Sequence, residues 1–206
     1  MKRMFSALMV LLLLVGFVST AGALEIQTLS LDGQTDYRNW TQANVTYGGN
    51  NQTVYLGQFD LTIDGILTYG YCVEFEATTY VPHTYTGTLI GLDTVANGAG
   101  AQAAWLMDNY AGVNQSQNAA VQLMIWELMY GDSFNYNSSG AVGSYYDMLS
   151  AVNIGSYTGY SYMVLDIDNA QNILVKTPAP VPEPATLMLI GSGLVGLAGF
   201  RRKMNK

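Results

Sequence analysis

Residues 59–74 read FDLTIDGILTYGYCVE, and this stretch has the pattern of a β-hairpin. Its first half alternates apolar with polar residues as far as Ile63, which is the period of a half-buried strand. Asp64 and Gly65 then supply the pair of residues that a two-residue hairpin turn favours. A return strand follows over residues 66–73. The stretch therefore predicts two antiparallel strands within a β-rich module.

The sequence on either side predicts more strands and then helices. Residues 24–98 are dense in Thr, Tyr, Val and Gly, and 84–92 has the pattern of another strand. Strand character returns near the end of the module, with Asp168-Asn169 as a turn. Helices are predicted over 101–110, 117–130 and 141–152. The fold class is therefore predicted as α+β: a β-rich, sandwich- or barrel-like module over 24–176 with a helical insertion of two to three helices.

The second predicted helix has recognisable end signals. Ser116 is expected to be its N-cap, because serine can bond the free N–H groups of a first turn. Gly131 is expected just after its last turn, where a positive φ is common.

The first 23 residues have the three-part organisation of a secretory signal peptide. Lys2 and Arg3 give a positive start, and an apolar run over 5–18 follows. Ala21 and Ala23 place small residues at the −3 and −1 positions of a cleavage site. Signal peptidase is therefore an expected partner, and the chain is expected to be exported.

The other end carries an apolar run over 185–200 without a charged residue, and then a basic tail over 201–206. At ~1.5 Å per residue the run reaches ~24 Å, against ~30 Å for a membrane hydrocarbon core. The basic tail would stay on the cytoplasmic side. The run is therefore predicted to be a short transmembrane helix.

A proline-rich linker over 177–184 precedes this helix and ends in Val181-Pro182-Glu183-Pro184. This motif, the glycine-rich apolar run and a basic cluster with Arg201 and Arg202 together resemble the PEP-CTERM sorting signal of bacteria. The resemblance implies processing by exosortase, a membrane protease-transpeptidase, in a Gram-negative cell that makes exopolysaccharide. It also implies transient anchoring in the inner membrane, followed by transfer to the cell surface, outer membrane or extracellular matrix.

The charge of the middle of the chain excludes one class of function. Between residues 24 and 180, fourteen acidic residues stand against two basic ones, Arg38 and Lys176. Affinity for nucleic acid comes mainly from Lys and Arg on phosphates. Nucleic acid is therefore not an expected partner.

Cys72 and Gln122 are the two unusual residues of the module. Cys72 is the only cysteine, so no internal disulfide can form, and it is a buried small hydrophobe, an intermolecular link or a reactive group. Gln122 lies in a largely apolar helical stripe, where an unpaired amide would cost ~1–3 kcal/mol. Gln122 either bonds a neighbouring backbone group or is used covalently.

The segments around these residues are Tyr71-Cys72-Val73-Glu74 and Val121-Gln122-Leu123-Met124-Ile125-Trp126-Glu127. They resemble the two signature segments of bacterial surface-adhesin thioester domains, and their spacing suits that family. Two positions depart from the pattern, since Val121 stands where Thr is frequent and Met124 where Ala is usual. The resemblance implies an internal thioester between Cys72 and Gln122, with Trp126 and Tyr71 beside the bond.

Such a thioester would acylate an amine or hydroxyl of a target once per molecule, for example on a surface polysaccharide. The predicted function is therefore adhesion, without a cofactor and without enzymatic turnover. The alternative is a passive structural or carbohydrate-binding component of a biofilm matrix, with the same fold and no bond.

Other chemistry has weaker signals. A hydrolase using Cys72 and the lone His83 lacks an evident orienting partner. Asp166, Asp168 and Asn169 could bind calcium weakly but lack EF-hand spacing. No metal site is predicted.

Overall fold

The computed structural model describes residues 24–31, 40–112, 114–137 and 139–177, the first of these stretches by its backbone alone. The predicted signal peptide with Ala21 and Ala23, the sorting motif Val181-Pro182-Glu183-Pro184, the apolar run over 185–200 and Arg201-Arg202 lie outside the described residues. No helix among the residues that the structure describes is both long and apolar enough to cross a membrane.

The described residues form strands and helices in a β-rich α+β arrangement. In chain order the strands are β1 (Leu24–Leu31), β2 (Thr41–Tyr47), β3 (Asn50–Leu56), β4 (Phe59–Ile63), β5 (Ile66–Cys72), β6 (His83–Ile90), β7 (Phe134–Tyr136), β8 (Tyr162–Ile167) and β9 (Ile173–Lys176). The helices are α1 (Gly100–Tyr110), α2 (Gln115–Tyr130) and α3 (Gly140–Ser150). All three helices lie between β6 and β8 in the chain, as the predicted helical insertion requires.

Six antiparallel strands close into a barrel in the order β1-β4-β5-β9-β8-β6. The predicted hairpin is confirmed, because β4 and β5 pair from Phe59↔Gly70 to Ile63↔Ile66. Asp64 and Gly65 have φ angles of 49° and 84°, which is the left-handed region that this turn needs. The predicted turn between β8 and β9 is also present, with Asn169 at φ 60°.

A second sheet has three strands in the order β3-β2-β7. Helix α2 lies between this sheet and the barrel. One part of its surface packs with α1 and β5, through residues such as Val121 and Ile125. Another part packs with β2, β3 and β7, through Ala119, Leu123 and Trp126. Because α2 is buried on several faces, its sequence shows only weak amphipathic periodicity.

The beginning of α2 corrects one prediction. The N-cap is Asn114, whose side chain accepts a hydrogen bond from the Gln117 N–H at 3.0 Å, and not Ser116. Gln115, the first residue of the helix, is also held by its Nε2, which donates to the Trp40 carbonyl at 2.6 Å. At the other end the prediction is confirmed, since Gly131 follows α2 with φ 51°.

Candidate functional site

Cys72 is the last residue of β5 and lies beyond the end of the neighbouring strand β4. Pairing of β4 with β5 ends at Phe59↔Gly70, whereas pairing with β9 continues to Cys72↔Ile173. The next residue, Val73, donates its N–H to the Asn172 carbonyl at 2.9 Å, on the β9 side. Since successive residues of a strand direct their N–H and C=O groups to alternate sides, those of Cys72 point to the side where β4 has ended.

Gln122 fills this gap in the sheet. Its Oε1 accepts the Cys72 backbone N–H at 3.0 Å, and its Nε2 donates to the Cys72 carbonyl at 2.8 Å. The side chain thus makes the two bonds that the opposite residue of a longer β4 would make with its N–H and C=O. Cys72 is 2% exposed and Gln122 is 1% exposed. The structure therefore brings the two residues into direct contact across 50 residues of chain.

Gly70 allows the strands to pack closely next to this contact. A Cβ atom at this position would lie 2.5 Å from the Leu174 carbonyl oxygen. Any larger residue would therefore push β9 away from β5 just before Cys72.

The thiol of Cys72 is free and buried, and it donates a hydrogen bond to Gln171 Oε1 at 2.9 Å. Burial raises the pKa of the Cys72 thiol far above its usual range, and the nearby charge of Glu74 raises it further. The group is therefore a protonated thiol at neutral pH, and its nucleophilicity is low in this arrangement.

Gln171 is a residue of the site that the sequence analysis missed. Its Nε2 donates to the Glu74 carbonyl at 2.8 Å, and its N–H donates to Thr79 Oγ1 at 3.1 Å. Asn172 beside it donates from Nδ2 to the Glu74 carboxylate at 2.9 Å. These bonds fix the segment before β9 against the end of β5. No motif in the sequence indicates them, because they depend on the order of the strands in the barrel.

Tyr71 and Trp126, the two residues expected beside the bond, lie in different parts of the core. Tyr71 packs with α1 and α2, and its hydroxyl donates to Asn118 Oδ1 at 3.0 Å. Trp126 packs in the same cluster as Cys72. Met124 belongs to the cluster of Tyr71 instead, so it does not share the packing around Cys72.

The ring of Trp126 is held by aromatic neighbours. It makes edge contacts with Phe75 at 5.0 Å and Phe134 at 6.0 Å between ring centroids. Trp126 is 3% exposed, and its Nε1 donates no hydrogen bond within the part of the chain that the structure describes.

A cavity of about 270 Å³ opens onto this site. Cys72, Gln122, Trp126 and Gln171 all contribute to its lining. Cys72 and Gln122 are therefore buried at the base of a space that a small chemical group can enter.

The structure separates Cys72 from His83. His83 is exposed at the start of β6 and stacks near the Tyr85 ring at 4.4 Å. In the barrel, β6 and β5 are separated by β9 and β8 on one side and by β4 and β1 on the other. His83 also does not line the cavity at Cys72, so the described residues give a Cys72–His83 hydrolase no support.

Metal ligands do not come together in the described ranges. No group of three or more His, Cys, Asp or Glu side chains within them is placed to hold an ion. Asp166 and Asp168 are exposed at the β8–β9 turn, so they remain a surface feature of that turn.

Comparison with known proteins identifies the tail. Residues 180–203 match the PEP-CTERM protein-sorting motif. The protein is therefore exported, anchored transiently in the membrane and processed by exosortase to become a surface protein. No curated protein and no solved structure matches the chain.

Proposed function

We propose that the module is an adhesive domain in which Cys72 and Gln122 form an internal thioester that attaches the protein once to a target. The observation that carries the proposal is the contact of the buried Gln122 carboxamide with Cys72 itself, through two hydrogen bonds. A buried glutamine side chain can hydrogen-bond to the backbone of many different residues. The side chain of Gln122 bonds to the backbone of Cys72, which is the only cysteine of the chain.

The proposed bond forms without a co-reactant. Cys72 Sγ attacks Gln122 Cδ, the Cδ–Nε2 bond breaks, and the amide nitrogen leaves as ammonia with the thiol proton. Gln122 then loses its donor to the Cys72 carbonyl, and Cys72 loses its bond to Gln171. Burial of both residues protects the thioester from water.

In the second step a target amine or hydroxyl attacks the same carbonyl carbon. The target becomes acylated by Gln122, and Cys72 regains its proton as a free thiol. Each molecule reacts once, so the protein is not a turnover enzyme. Lys176, the only lysine between residues 24 and 180, is held 3.9 Å from Asp108 and over the rings of Tyr69 and Tyr162, which favours an external acceptor over an internal one.

The proposed setting is the surface or exopolysaccharide matrix of a Gram-negative bacterium. The supporting observation is the sorting motif, because it directs an exported chain to the outside of the cell. Signal peptidase would act first on the segment that ends in Ala21-Gly22-Ala23.

Intact-mass measurement of the purified protein tests the bond. We expect the wild type to weigh one ammonia less than its processed sequence, and Cys72→Ala to have the full mass of its own sequence. A wild-type protein of full mass would refute the thioester. Labelling of the native thiol is a poor substitute, because Cys72 is only 2% exposed and even a free thiol would react slowly.

One observation favours the passive matrix component as a second candidate. The carboxamide of Gln122 and the thiol of Cys72 both have hydrogen-bond partners without any covalent bond. On this interpretation Gln122 stabilises the free end of β5 and has no chemistry. Full mass in the wild type, with unchanged mass after exposure to amines, is the result that this candidate predicts.

A further inference from the structure

The cavity above Cys72 and Gln122 has a composition that points to a particular class of ligand. None of the described residues that line it is Asp, Glu, Lys, Arg or His. The lining instead combines aromatic rings with hydroxyl and amide side chains, among them Thr53, Thr79 and Gln52. This absence of charge is notable in a module where acidic residues far outnumber basic ones.

Two aromatic rings form one wall of the cavity. Tyr55 on β3 is 63% exposed, and its ring centroid lies 6.4 Å from that of Trp40. Trp40 is fixed, because its Nε1 donates to the Gln58 carbonyl at 2.9 Å and its ring packs on Phe59 at 4.8 Å. Exposed rings with a rigid neighbour provide a flat apolar face that a ligand can cover at low entropic cost.

Trp126 also contributes to the lining, and its side chain is only 3% exposed. Phe75, another lining residue, packs on it with ring centroids 5.0 Å apart. The cavity therefore has fixed aromatic surface besides Trp40 and Tyr55.

We propose that this cavity binds a neutral sugar ring. A sugar presents apolar C–H faces to aromatic rings and hydroxyl groups to amide and hydroxyl side chains, which is the mixture in the lining. The volume of about 270 Å³ is just below the ~300–1,000 Å³ of typical ligand pockets and suits one ring of a polysaccharide. A lysine ammonium fits less well, since it would lose water without meeting a carboxylate, and cation–π attraction offsets only part of that loss.

This inference gives the carbohydrate-binding alternative a site and a ligand class, and it does not require the thioester. If both hold, the cavity delivers a polysaccharide to the reactive pair. If the bond does not form, the same cavity makes the module a reversible saccharide binder.

The test is a titration of the detergent-solubilised full chain, followed by tryptophan fluorescence. The probes are the methyl glycosides of glucose, galactose, mannose and N-acetylglucosamine, and N-acetyl-lysine amide serves as the cationic probe. We expect at least one glycoside to bind more tightly than the lysine probe. Failure of all four glycosides at millimolar concentration, or equal binding of the lysine probe, would overturn the inference.

Two exposed tyrosines provide a matched pair of variants. Tyr55→Ala removes a wall of the cavity and should weaken glycoside binding by roughly three- to tenfold. Tyr160→Ala removes a tyrosine that is 86% exposed and does not line the cavity, so it should leave binding unchanged. Equal effects of the two variants would place the sugar elsewhere. The intact mass of the same wild-type sample is also measured. If the protein has its full mass and still binds sugar, the thioester is refuted but the sugar site is not.

Discussion

Replacement of Gln122 by leucine tests the contact on which the site depends. The change keeps the size of the side chain but removes both partners of the Cys72 backbone, whose N–H and C=O are bonded at 3.0 Å and 2.8 Å. The variant is best made in a Cys72→Ala background, where no thioester can form and the backbone contact is retained. The measured loss then reports hydrogen bonding only.

The magnitude follows from the two groups that lose their partners. A buried polar group left unpaired costs ~1–3 kcal/mol, so two such groups predict a loss of roughly 2–6 kcal/mol in the free energy of unfolding. This is a large part of the ~5–15 kcal/mol that stabilises an ordinary domain. Gln117→Leu is the matched control in the same helix, because Gln117 lies half-buried in the first turn of α2. It should change stability by no more than about 0.5 kcal/mol.

Urea denaturation followed by tryptophan fluorescence measures both variants. We expect Gln122→Leu to lower the midpoint strongly with little change in the slope m, since the native fold is retained. A loss below about 1 kcal/mol, or a loss equal to that of Gln117→Leu, would refute the pairing of Gln122 with the end of β5.

Three further predictions concern the same helix and strand. Gln122→Glu should be least stable at neutral pH and should regain stability in urea titrations as the pH falls towards about 4. Burial raises the pKa of the new carboxyl, so the folded state keeps a proton that the unfolded state loses above about 4.3. Only this protonated form can donate a hydrogen bond to the Cys72 carbonyl. Asn114→Ala should cost about 1 kcal/mol in thermal or urea unfolding, whereas Ser116→Ala should change stability by only a few tenths, since Asn114 is the N-cap. Tyr71→Phe should cost about 0.5–1 kcal/mol by the same measurement, at the low end for a buried hydrogen bond, because Asn118 Oδ1 keeps the Gly112 N–H at 2.8 Å.

The features that sequence predicts well are those with local causes. The β4–β5 hairpin follows from an alternating pattern and from Asp64-Gly65, both contained within a few residues. The C-terminal end of α2 is likewise set by one glycine, Gly131. Its beginning was misplaced by two residues, because Asn114 and Ser116 are both favoured N-cap residues and only the structure shows which side chain accepts a first-turn N–H.

Some residues of the candidate site could be predicted from the sequence and others could not. Cys72 and Gln122 stand out in the sequence because one is a lone cysteine and the other a polar residue in an apolar stripe. Gln171 has no such contrast with its neighbours, and it reaches the thiol only because β9 pairs with β5. The cavity was also missed, since its walls come from β3, from the segment after β5 and from α2.

The early end of β4 explains why residue 122 has to be glutamine in either functional interpretation. Cys72 offers one donor and one acceptor to the empty side of β5, and at neutral pH a primary amide on a side chain of this length satisfies both, whereas an ionised carboxylate only accepts. A thioester would remove Nε2 and leave the Cys72 carbonyl unpaired, at a cost of ~1–3 kcal/mol. The proposed bond would therefore form against a local penalty, which the loss of ammonia to solvent would have to offset. The same penalty raises the free energy of the bonded state, and transfer to an amine would relieve it, because the new amide again has an N–H for the Cys72 carbonyl.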